Sequence, residues 1–377
     1  MRARCAGPCG MLNLSHTGGI DRLEVETYKV PTELPESDGT LKWDHTNITI
    51  VTAYAQGRYG IGYTYAGHAA AALVQGELGE AMKGMDPMSP QAAYMAMWRR
   101  IRNMGRPGIC SMAISAVDCA LWDLKARLLE TPLVTMLGQV RNAATVYGSG
   151  GFTSYSDQQL MKQLEGWARQ GMGAVKMKIG REPARDKERV RAARKAIGGD
   201  TKLYVDANGA YAPRQALAQA EMLADHDVRW FEEPVSSDNR GGMRFVREHL
   251  GPRMQVAAGE YGYDLFYFRE MLAAGAVDVL QADITRCGGI TGFMQVAALC
   301  EAHNVPFSTH TAPAEHTAPA CAAIPFTELE YFHDHVRIEQ MFFDGLPTLV
   351  RGELQPDLSR PGNGLELRRK DAAKFAA

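Results

Sequence analysis

The chain has 377 residues, of which 46% are hydrophobic and 22% are charged, and its formal net charge is −2. These values are typical of a soluble globular protein and argue against nucleic acid or an anionic membrane as a partner. The length suffices for two domains, or for one α/β barrel with an added domain, and no apolar run approaches the roughly 18 residues that a membrane span requires.

Residues 1–19 lack the apolar segment of a secretory signal, and we predict that they form a poorly ordered leader. Cys5 and Cys9 resemble half of a zinc site, but no second Cys or His pair occurs after them at zinc spacing, so a zinc site is not favoured. The seven cysteines of the chain are scattered and odd in number, which is typical of a reducing compartment. We therefore expect a cytoplasmic location.

Residues 20–139 are predicted to form an α+β domain. Ile20–Val30 and Thr46–Tyr54 alternate apolar and polar side chains, as strands do. The segment 69–137 has a helical pattern instead. Strands followed by helices, rather than alternating with them, indicate a mixed domain that is separate from the C-terminal part of the chain.

From about residue 140 the sequence repeats a short apolar strand, a polar or charged residue and a helical stretch, roughly every 25 to 30 residues. The predicted strands are Thr145–Tyr147, Ala174–Ile179, Lys202–Val205, Arg229–Phe231, Gln255–Ala258, Asp278–Gln281, Pro306–Ser308 and Leu329–Phe332. Eight such units predict a closed parallel barrel over residues 140–347. The Pro/Gly-rich tail, 348–377, is expected to pack back on the first domain.

Two lysines lie one residue apart in Val175-Lys176-Met177-Lys178-Ile179. Residues two apart on a strand point to the same face, so Lys176 and Lys178 share one face. Repulsion between two ammonium groups lowers the pKa of at least one, and such a lysine can act as a general base near neutral pH. The alternative is a pair of solvated lysines on an exposed strand.

Ionisable residues occur at nearly every predicted strand end, which is where barrel enzymes place their reactive groups. Asp206, Glu232 and Glu260 come after three consecutive strands and are expected to meet at one rim. Carboxylates that close repel one another unless a cation lies between them, and an all-oxygen ligand set suits Mg²⁺ or Mn²⁺ better than zinc. Taken singly, each acidic residue is more often a helix N-cap or a surface charge.

Several motifs together resemble one family, the mandelate racemase subgroup of the enolase superfamily. They are Lys176-Met177-Lys178, Asp206-Ala207-Asn208, Glu232-Glu233-Pro234, Gly259-Glu260, Asp283 before Arg286-Cys287-Gly288-Gly289, and His310. Each motif is weak alone, but the combination is specific, and the resemblance covers nearly the whole chain. It implies an N-terminal α+β capping domain followed by a modified TIM barrel, (β/α)7β, in a homo-oligomer (dimer to octamer).

The resemblance also implies roles for particular residues. It places one Mg²⁺ per subunit on Asp206, Glu232 and Glu260. It makes Lys178 one acid/base, with its pKa lowered by Lys176, and a His310–Asp283 dyad the other, while Glu330 would donate a hydrogen bond to the substrate carboxylate. The alternative for His310 is an ordinary histidine in a polar loop, since His316, His333 and His335 lie nearby.

Such residues suit removal of the proton beside a carboxylate, because the resulting enediolate needs a cation and a donor to stabilise its charge. We favour dehydration of a sugar acid, a 2-hydroxy polyol acid, to a 2-keto-3-deoxy acid. The alternatives are a racemase or epimerase of a 2-hydroxy acid, and a non-catalytic barrel that only binds a ligand. The expected partner is therefore a small carboxylate.

Two segments of the first domain, Pro31–Asp44 and Gly57–His68, are predicted to be flexible loops that close over the barrel mouth. The second is glycine-rich but lacks the glycine spacing of a nucleotide-binding loop. Polar groups among aromatic rings suit the hydroxyl groups of a polyol, so the predicted substrate contacts are Trp43, His45, Tyr59 and Asn208.

Overall fold

The computed structural model describes residues 18–377. The predicted leader, including Cys5 and Cys9, therefore lies almost wholly outside the described residues. Within them, no helix is both long enough and apolar enough to cross a membrane.

A three-stranded antiparallel sheet begins the cap, in the order β1 (Arg22–Ser37), β2 (Lys42–Ala55) and β3 (Arg58–Thr64). The prediction of two long flexible loops was wrong. Most of the first segment belongs to β1 and β2, whose pairing is interrupted between Pro31 and Glu36. Most of the second is β3.

The glycines of β3 explain that second error, because they allow close packing rather than flexibility. A Cβ atom at Gly60 would lie 2.2 Å from the Leu124 nitrogen, and one at Gly62 would lie 2.3 Å from the Ala116 oxygen. Both atoms belong to the backbone of α4 (Ile109–Leu128), which is almost entirely buried against the sheet. The other cap helices are α1 (His68–Leu73), α2 (Gly79–Met82), α3 (Pro90–Arg100) and α5 (Leu133–Leu137), and a π-helical turn joins α1 to α2.

Eight parallel strands form the barrel, as predicted. They are β4 (Ala144–Gly150), β5 (Ala174–Lys178), β6 (Lys202–Asp206), β7 (Val228–Glu232), β8 (Gln255–Ala258), β9 (Val279–Ala282), β10 (Phe307–Thr309) and β11 (Leu329–Phe332). Each of β4 to β9 pairs with the next, and β11 pairs with β4. The Thr327 N–H donates to the Phe307 carbonyl at 2.8 Å and links the β11 side to β10, which closes the ring.

Helices connect the barrel strands and cover the outside. They are α6 (Asp157–Arg169), α7 (Pro183–Ile197), α8 (Pro213–Leu223), α9 (Arg240–His249), α10 (Leu265–Ala273), α11 (Gly289–Ala302) and α12 (Pro313–Ala322), with α13 (His333–Phe342) after β11. The outward side chains of β5, Val175, Met177 and Ile179, are fully buried in the main apolar core. The lysines between them therefore point into the barrel.

The barrel interior changes from apolar to charged along the strands. One layer consists of Tyr147, Ala174, Tyr204, Trp230, Ala257 and Val279. Two residues further along five of these strands come Ser149, Lys176, Asp206, Glu232 and Gln281, all fully buried. The charged groups thus lie on a packed aromatic floor near the carboxyl ends of the strands.

The C-terminal segment contacts both parts of the molecule. It comprises β12 (Phe343–Asp344), β13 (Thr348–Val350), β14 (Glu353–Gln355), β15 (Glu366–Leu367) and α14 (Arg369–Ala372). Strand β14 pairs with β4 of the barrel. Near the end of the chain, Arg369 pairs with Glu26 at 3.1 Å, and the Ala377 N–H donates to the Thr27 carbonyl at 3.1 Å. The domain boundaries at 139 and 347 stay predictions.

Candidate active site

A cavity of about 450 Å³ lies between the cap and the carboxyl ends of the barrel strands. Its barrel side includes Lys178, Asn208, Glu260, Asp283, Arg286, His310, Thr311, Phe332 and His335. Its cap side includes Asp38, Leu41, Trp43, His45, Thr46, Asn47, Tyr65, Ile109 and Met112. The cavity therefore brings together most of the residues that the sequence singled out.

Asp206, Glu232 and Glu260 converge as expected, with one oxygen of each within 4.8 Å of the others. Asp206 and Glu232 end β6 and β7, whereas Glu260 comes after β8, beyond a turn at Gly259. That glycine has φ of +141°, and a Cβ atom there would lie 1.9 Å from the Gln281 carbonyl oxygen. Only glycine permits the turn that brings Glu260 to the other two carboxylates.

This triad fits a divalent cation. All three carboxylates are buried, and Glu260 Oε2 is buried without a hydrogen-bond partner among the described residues. Burial raises the pKa of Glu232 well above its ordinary value, and the charges of Asp206 and Glu330 raise it further despite Lys176. Buried, mutually repelling oxygens of this kind are the ligands that a hard cation prefers.

Both lysines are buried, which rejects the alternative of a solvated pair. Lys176 Nζ lies 2.5 Å from Glu232 and 2.8 Å from Glu330, while Lys178 Nζ donates to Asp206. Burial acts to lower the pKa of Lys178, as does the charge of Lys176, but Asp206 outweighs both and raises it. The predicted lowering of the Lys178 pKa is therefore wrong for this arrangement of side chains, because the lysine contacts a carboxylate directly.

His310 and Asp283 form the expected pair, with 2.8 Å between His310 Nδ1 and the carboxylate. The other Asp283 oxygen accepts two hydrogen bonds of 2.7 Å from the backbone and hydroxyl of Thr285. Burial acts to raise the pKa of Asp283, but the hydrogen bond from His310 and the charge of Arg286 hold it well below its ordinary range. Asp283 is thus ionised, and Nε2 of His310 is left to face Glu260 at 3.3 Å.

Glu330 lies in the barrel interior, but its environment does not support the donor role. One of its oxygens accepts from Ser149 at 2.6 Å and pairs with Lys176, and the other accepts from the Thr311 N–H at 2.8 Å. Burial acts to raise its pKa, but Lys176 and His310 hold it well below the ordinary range. In this arrangement Glu330 is an ionised acceptor rather than an acid that donates.

Three of the four predicted substrate contacts line the cavity: Trp43, His45 and Asn208. Tyr59 does not, and its prediction was wrong. Its hydroxyl donates to Glu366, and the Arg127 guanidinium lies 4.9 Å from its ring centroid. Tyr59 is at the start of β3, whereas the cavity is reached by residues 65–67 just beyond the end of that strand.

Several residues that line the cavity were not among the predicted site residues, and three of them are Arg286, Tyr65 and His335. Arg286 lies 3.3 Å from Asp283 and 3.7 Å from Glu260. Its position three residues after Asp283, within a motif already quoted, could have identified it as a site residue. Tyr65 and His335 stack with ring centroids 3.3 Å apart. No local pattern predicts that stack, since it joins the cap to α13.

Two family descriptions match most of the chain. Residues 23–138 match the mandelate racemase / muconate lactonizing enzyme N-terminal domain, and residues 159–372 match the enolase C-terminal domain-like family.

Individual relatives include enzymes that act on sugar acids. A 3,6-anhydro-alpha-L-galactonate cycloisomerase from Streptomyces coelicolor is 33% identical over 92% of this chain and 97% of its own. A mandelate racemase/muconate lactonizing enzyme-like protein from Rubrobacter xylanophilus is 50% identical, with a TM-score of 0.93 over 95% of this chain and 100% of its own. The L-talarate/galactarate dehydratase of Salmonella typhimurium, solved with Mg and L-lyxarohydroxamate, is 25% identical, with a TM-score of 0.86 over 96% of this chain and 93% of its own.

Proposed function

The chain belongs to the mandelate racemase/muconate lactonizing enzyme group of the enolase superfamily, and from this premise we propose that it removes the α-proton of a sugar-acid carboxylate. The resulting enediolate would then lose the hydroxyl group of the neighbouring carbon as water. The product of a 2-hydroxy polyol acid would be a 2-keto-3-deoxy acid.

The observation that carries this proposal is the position of Lys178 and His310 in one cavity, on either side of the acid triad. Lys178 ends β5, before the three triad strands, and His310 comes after β10, beyond them. One of the two would remove the α-proton, and the other would protonate the departing hydroxyl. For His310 the exchanging atom is Nε2, because Nδ1 is bonded to Asp283.

Asp206, Glu232 and Glu260 would hold the metal ion, and their oxygen ligands favour Mg²⁺. A bound Mg²⁺ supplies positive charge that stabilises the negative charge developing on the substrate carboxylate. The surrounding side chains fix the triad beforehand. The second oxygen of Glu232 accepts from Trp230 at 2.9 Å and from Gln281 at 3.0 Å, so that carboxylate cannot rotate freely.

Sharing Asp206 with a cation would also change Lys178. The raised pKa of Lys178 in this structure depends on its contact with Asp206. With that carboxylate partly neutralised, burial and the charge of Lys176 both act to lower the pKa. Lys178 would then become a more effective general base near neutral pH.

A second reaction, cycloisomerisation, is favoured by the relative that is 33% identical over 92% of this chain. In a 3,6-anhydro sugar acid the oxygen on C3 belongs to an ether ring. Removing the α-proton and breaking that C3–O bond opens the ring without releasing water. The same two acid/base groups serve both reactions, so the identity of the leaving oxygen is what separates them.

The test is an incubation in D₂O with Mg²⁺ and a library of aldonates, aldarates and 3,6-anhydroaldonates, monitored by NMR and mass spectrometry. Dehydration predicts a keto acid lighter by one water, whereas ring opening leaves the mass unchanged apart from deuterium. Deuterium at C2 with no other change would indicate a racemase or epimerase instead. If no acid exchanges its α-hydrogen and none forms a product, the proposed function is wrong; Lys178→Met, which should form no product, is the control for product formation.

A further inference from the structure

The barrel side of the cavity carries most of its charged side chains, whereas the cap side carries few, and this difference limits which substrates fit. We propose that the substrate is a monocarboxylate, a sugar acid whose end remote from the reacting carboxylate is uncharged. This inference rests on the proposed function and adds the choice between aldonates and aldarates to it.

The cations that line the cavity all lie on its barrel side and are already committed there. Lys178 contacts Asp206, Arg286 lies between Asp283 and Glu260, and His310 pairs with Asp283. The reacting carboxylate of the substrate must lie among these groups, since Lys178 and His310 act on the carbon beside it. The remainder of the substrate must therefore extend towards the cap.

On the cap side, two lining residues carry acidic or basic side chains, Asp38 and His45. Asp38 is 8% exposed, and its Oδ1 accepts 2.6 Å hydrogen bonds from the N–H groups of Thr40 and Leu41. Those bonds hold a negative charge at the tip of the β1–β2 hairpin. A second carboxylate on the substrate would approach that charge.

His45 does not provide a free cation that could pair with a second substrate carboxylate. Its Nδ1 lies 2.6 Å from Asp44, so any positive charge on the ring is already countered by a carboxylate. No lysine or arginine is among the cap residues that line the cavity within the described part of the chain. A dicarboxylate would thus bring its second charge to this side of the cavity, beside Asp38 and without a cation to pair with, which is unfavourable.

The rest of the cap surface is uncharged and combines apolar side chains with the polar side chains of Thr46 and Asn47, which suits an uncharged end that carries hydroxyl groups. Leu41, Ile109 and Met112 are apolar. The indole N–H of Trp43 donates to Glu36 at 2.8 Å, so this ring offers the cavity an apolar face. Tyr65 adds one buried hydroxyl that has no partner among the described residues and can bind a substrate hydroxyl.

The test compares kcat/KM for matched pairs of six-carbon aldonates and aldarates that share their configuration from C2 to C5. We expect the aldonate of any reactive pair to be preferred by about tenfold or more, since a second carboxylate would lie beside a like charge without a cation to pair with. Equal or greater kcat/KM for the aldarate would overturn the inference and leave the proposed function intact. If no acid exchanged its α-hydrogen and none formed a product, both this inference and the proposed function would be wrong.

Two variants show whether the cap sets this preference. Asp38→Asn keeps the oxygen that accepts from Thr40 and Leu41 but removes the charge, so the ratio of aldarate to aldonate kcat/KM should rise several-fold. Leu41→Lys supplies a cation at the same tip and should raise the ratio as well. Asp21→Asn, which makes the same change in net charge at an exposed position outside the cavity, is the control. An unchanged ratio in both cavity variants would contradict the assignment.

Discussion

The ammonium group of Lys176 lies 2.8 Å from the carboxylate of Glu330 and 2.5 Å from that of Glu232, its other close partner. The lysine and both carboxylates are almost completely buried. The two ion pairs of Lys176 therefore connect strands β5, β7 and β11 next to the proposed reaction site. Buried charges of this kind are strongly destabilising when one partner is removed, because the remaining charge loses its compensation.

Glu330→Gln should therefore destabilise the fold. The amide keeps the size of the side chain but leaves Lys176 dependent on the metal-binding carboxylates, so the free energy of unfolding should fall by about 3 kcal/mol. Urea denaturation monitored by circular dichroism measures this change. Glu353→Gln, at an exposed position of β14, is the control and should stay within roughly 0.5 kcal/mol of the wild type. Equal stability of both variants would show that the pairing contributes little.

Glu260→Gln should weaken metal binding, because it removes one charge from the triad while preserving shape. We expect the affinity for Mg²⁺, measured by calorimetry, to fall by about tenfold or more, with a large loss of turnover. Treatment of the wild type with a chelator should also cause a large loss of turnover, and added Mg²⁺ should restore the turnover. Glu301→Gln on the surface of α11 is the matched control. Full activity in thoroughly metal-stripped protein would contradict the metal assignment.

Lys178→Met and His310→Asn should separate the two proton transfers. Each removes a group that lines the cavity beside the triad, and loss of one general acid or base commonly costs about 10²–10⁴-fold in rate. The variant that lacks the α-proton base should lose hydrogen exchange in D₂O. The other should retain exchange and fail to form product. Much smaller losses at both positions, on an established substrate, would mean that other residues perform these steps.

The barrel could be predicted from the sequence because its order is local and periodic. Nearly every strand is a short apolar run with an ionisable residue at its end, and the alternation on β5 correctly predicted that Lys176 and Lys178 share the interior face. The meeting of Asp206, Glu232 and Glu260 could be inferred from the same repetition, since adjacent parallel strands end at one rim.

The cap was harder to predict, because its structure depends on contacts between distant parts of the chain. Proline and glycine in 31–44 and 57–67 are typical of loops, yet strand pairing and the packing of Gly60 and Gly62 on α4 make most of these residues strand. The error at Tyr59 has the same origin, since composition does not show which end of β3 meets the barrel. The contact between Asp206 and Lys178 likewise depends on side-chain positions that spacing does not reveal.

His316 should make the fold sensitive to mild acid. The ring is fully buried, its Nε2 accepts from the Ile284 N–H at 2.9 Å, and burial lowers its pKa to about 4. An unfolded histidine, with a pKa near 6.5, binds a proton first as the pH falls, so protonation favours unfolding below that value. The stability should fall by about 2 kcal/mol between pH 7 and pH 5 from this residue. His316→Gln should be less stable at pH 7 but should lose less on acidification, and an unchanged pH dependence would contradict the assignment.

Trp43 should help to determine which substrate is accepted, because its ring lines the cavity and also packs on Phe152 with 5.6 Å between ring centroids. Trp43→Ala should remove an apolar wall and lose the hydrogen bond to Glu36, so we expect the ratios of kcat/KM among sugar acids to change by about tenfold. The affinity for Mg²⁺ should change little, since Trp43 is not one of the three proposed metal ligands. Tyr59→Ala is the matched control, because it also removes an aromatic ring from the cap sheet but lies outside the cavity. Substrate ratios that shift equally in both variants would indicate a general disturbance of the cap rather than a contact between Trp43 and the substrate.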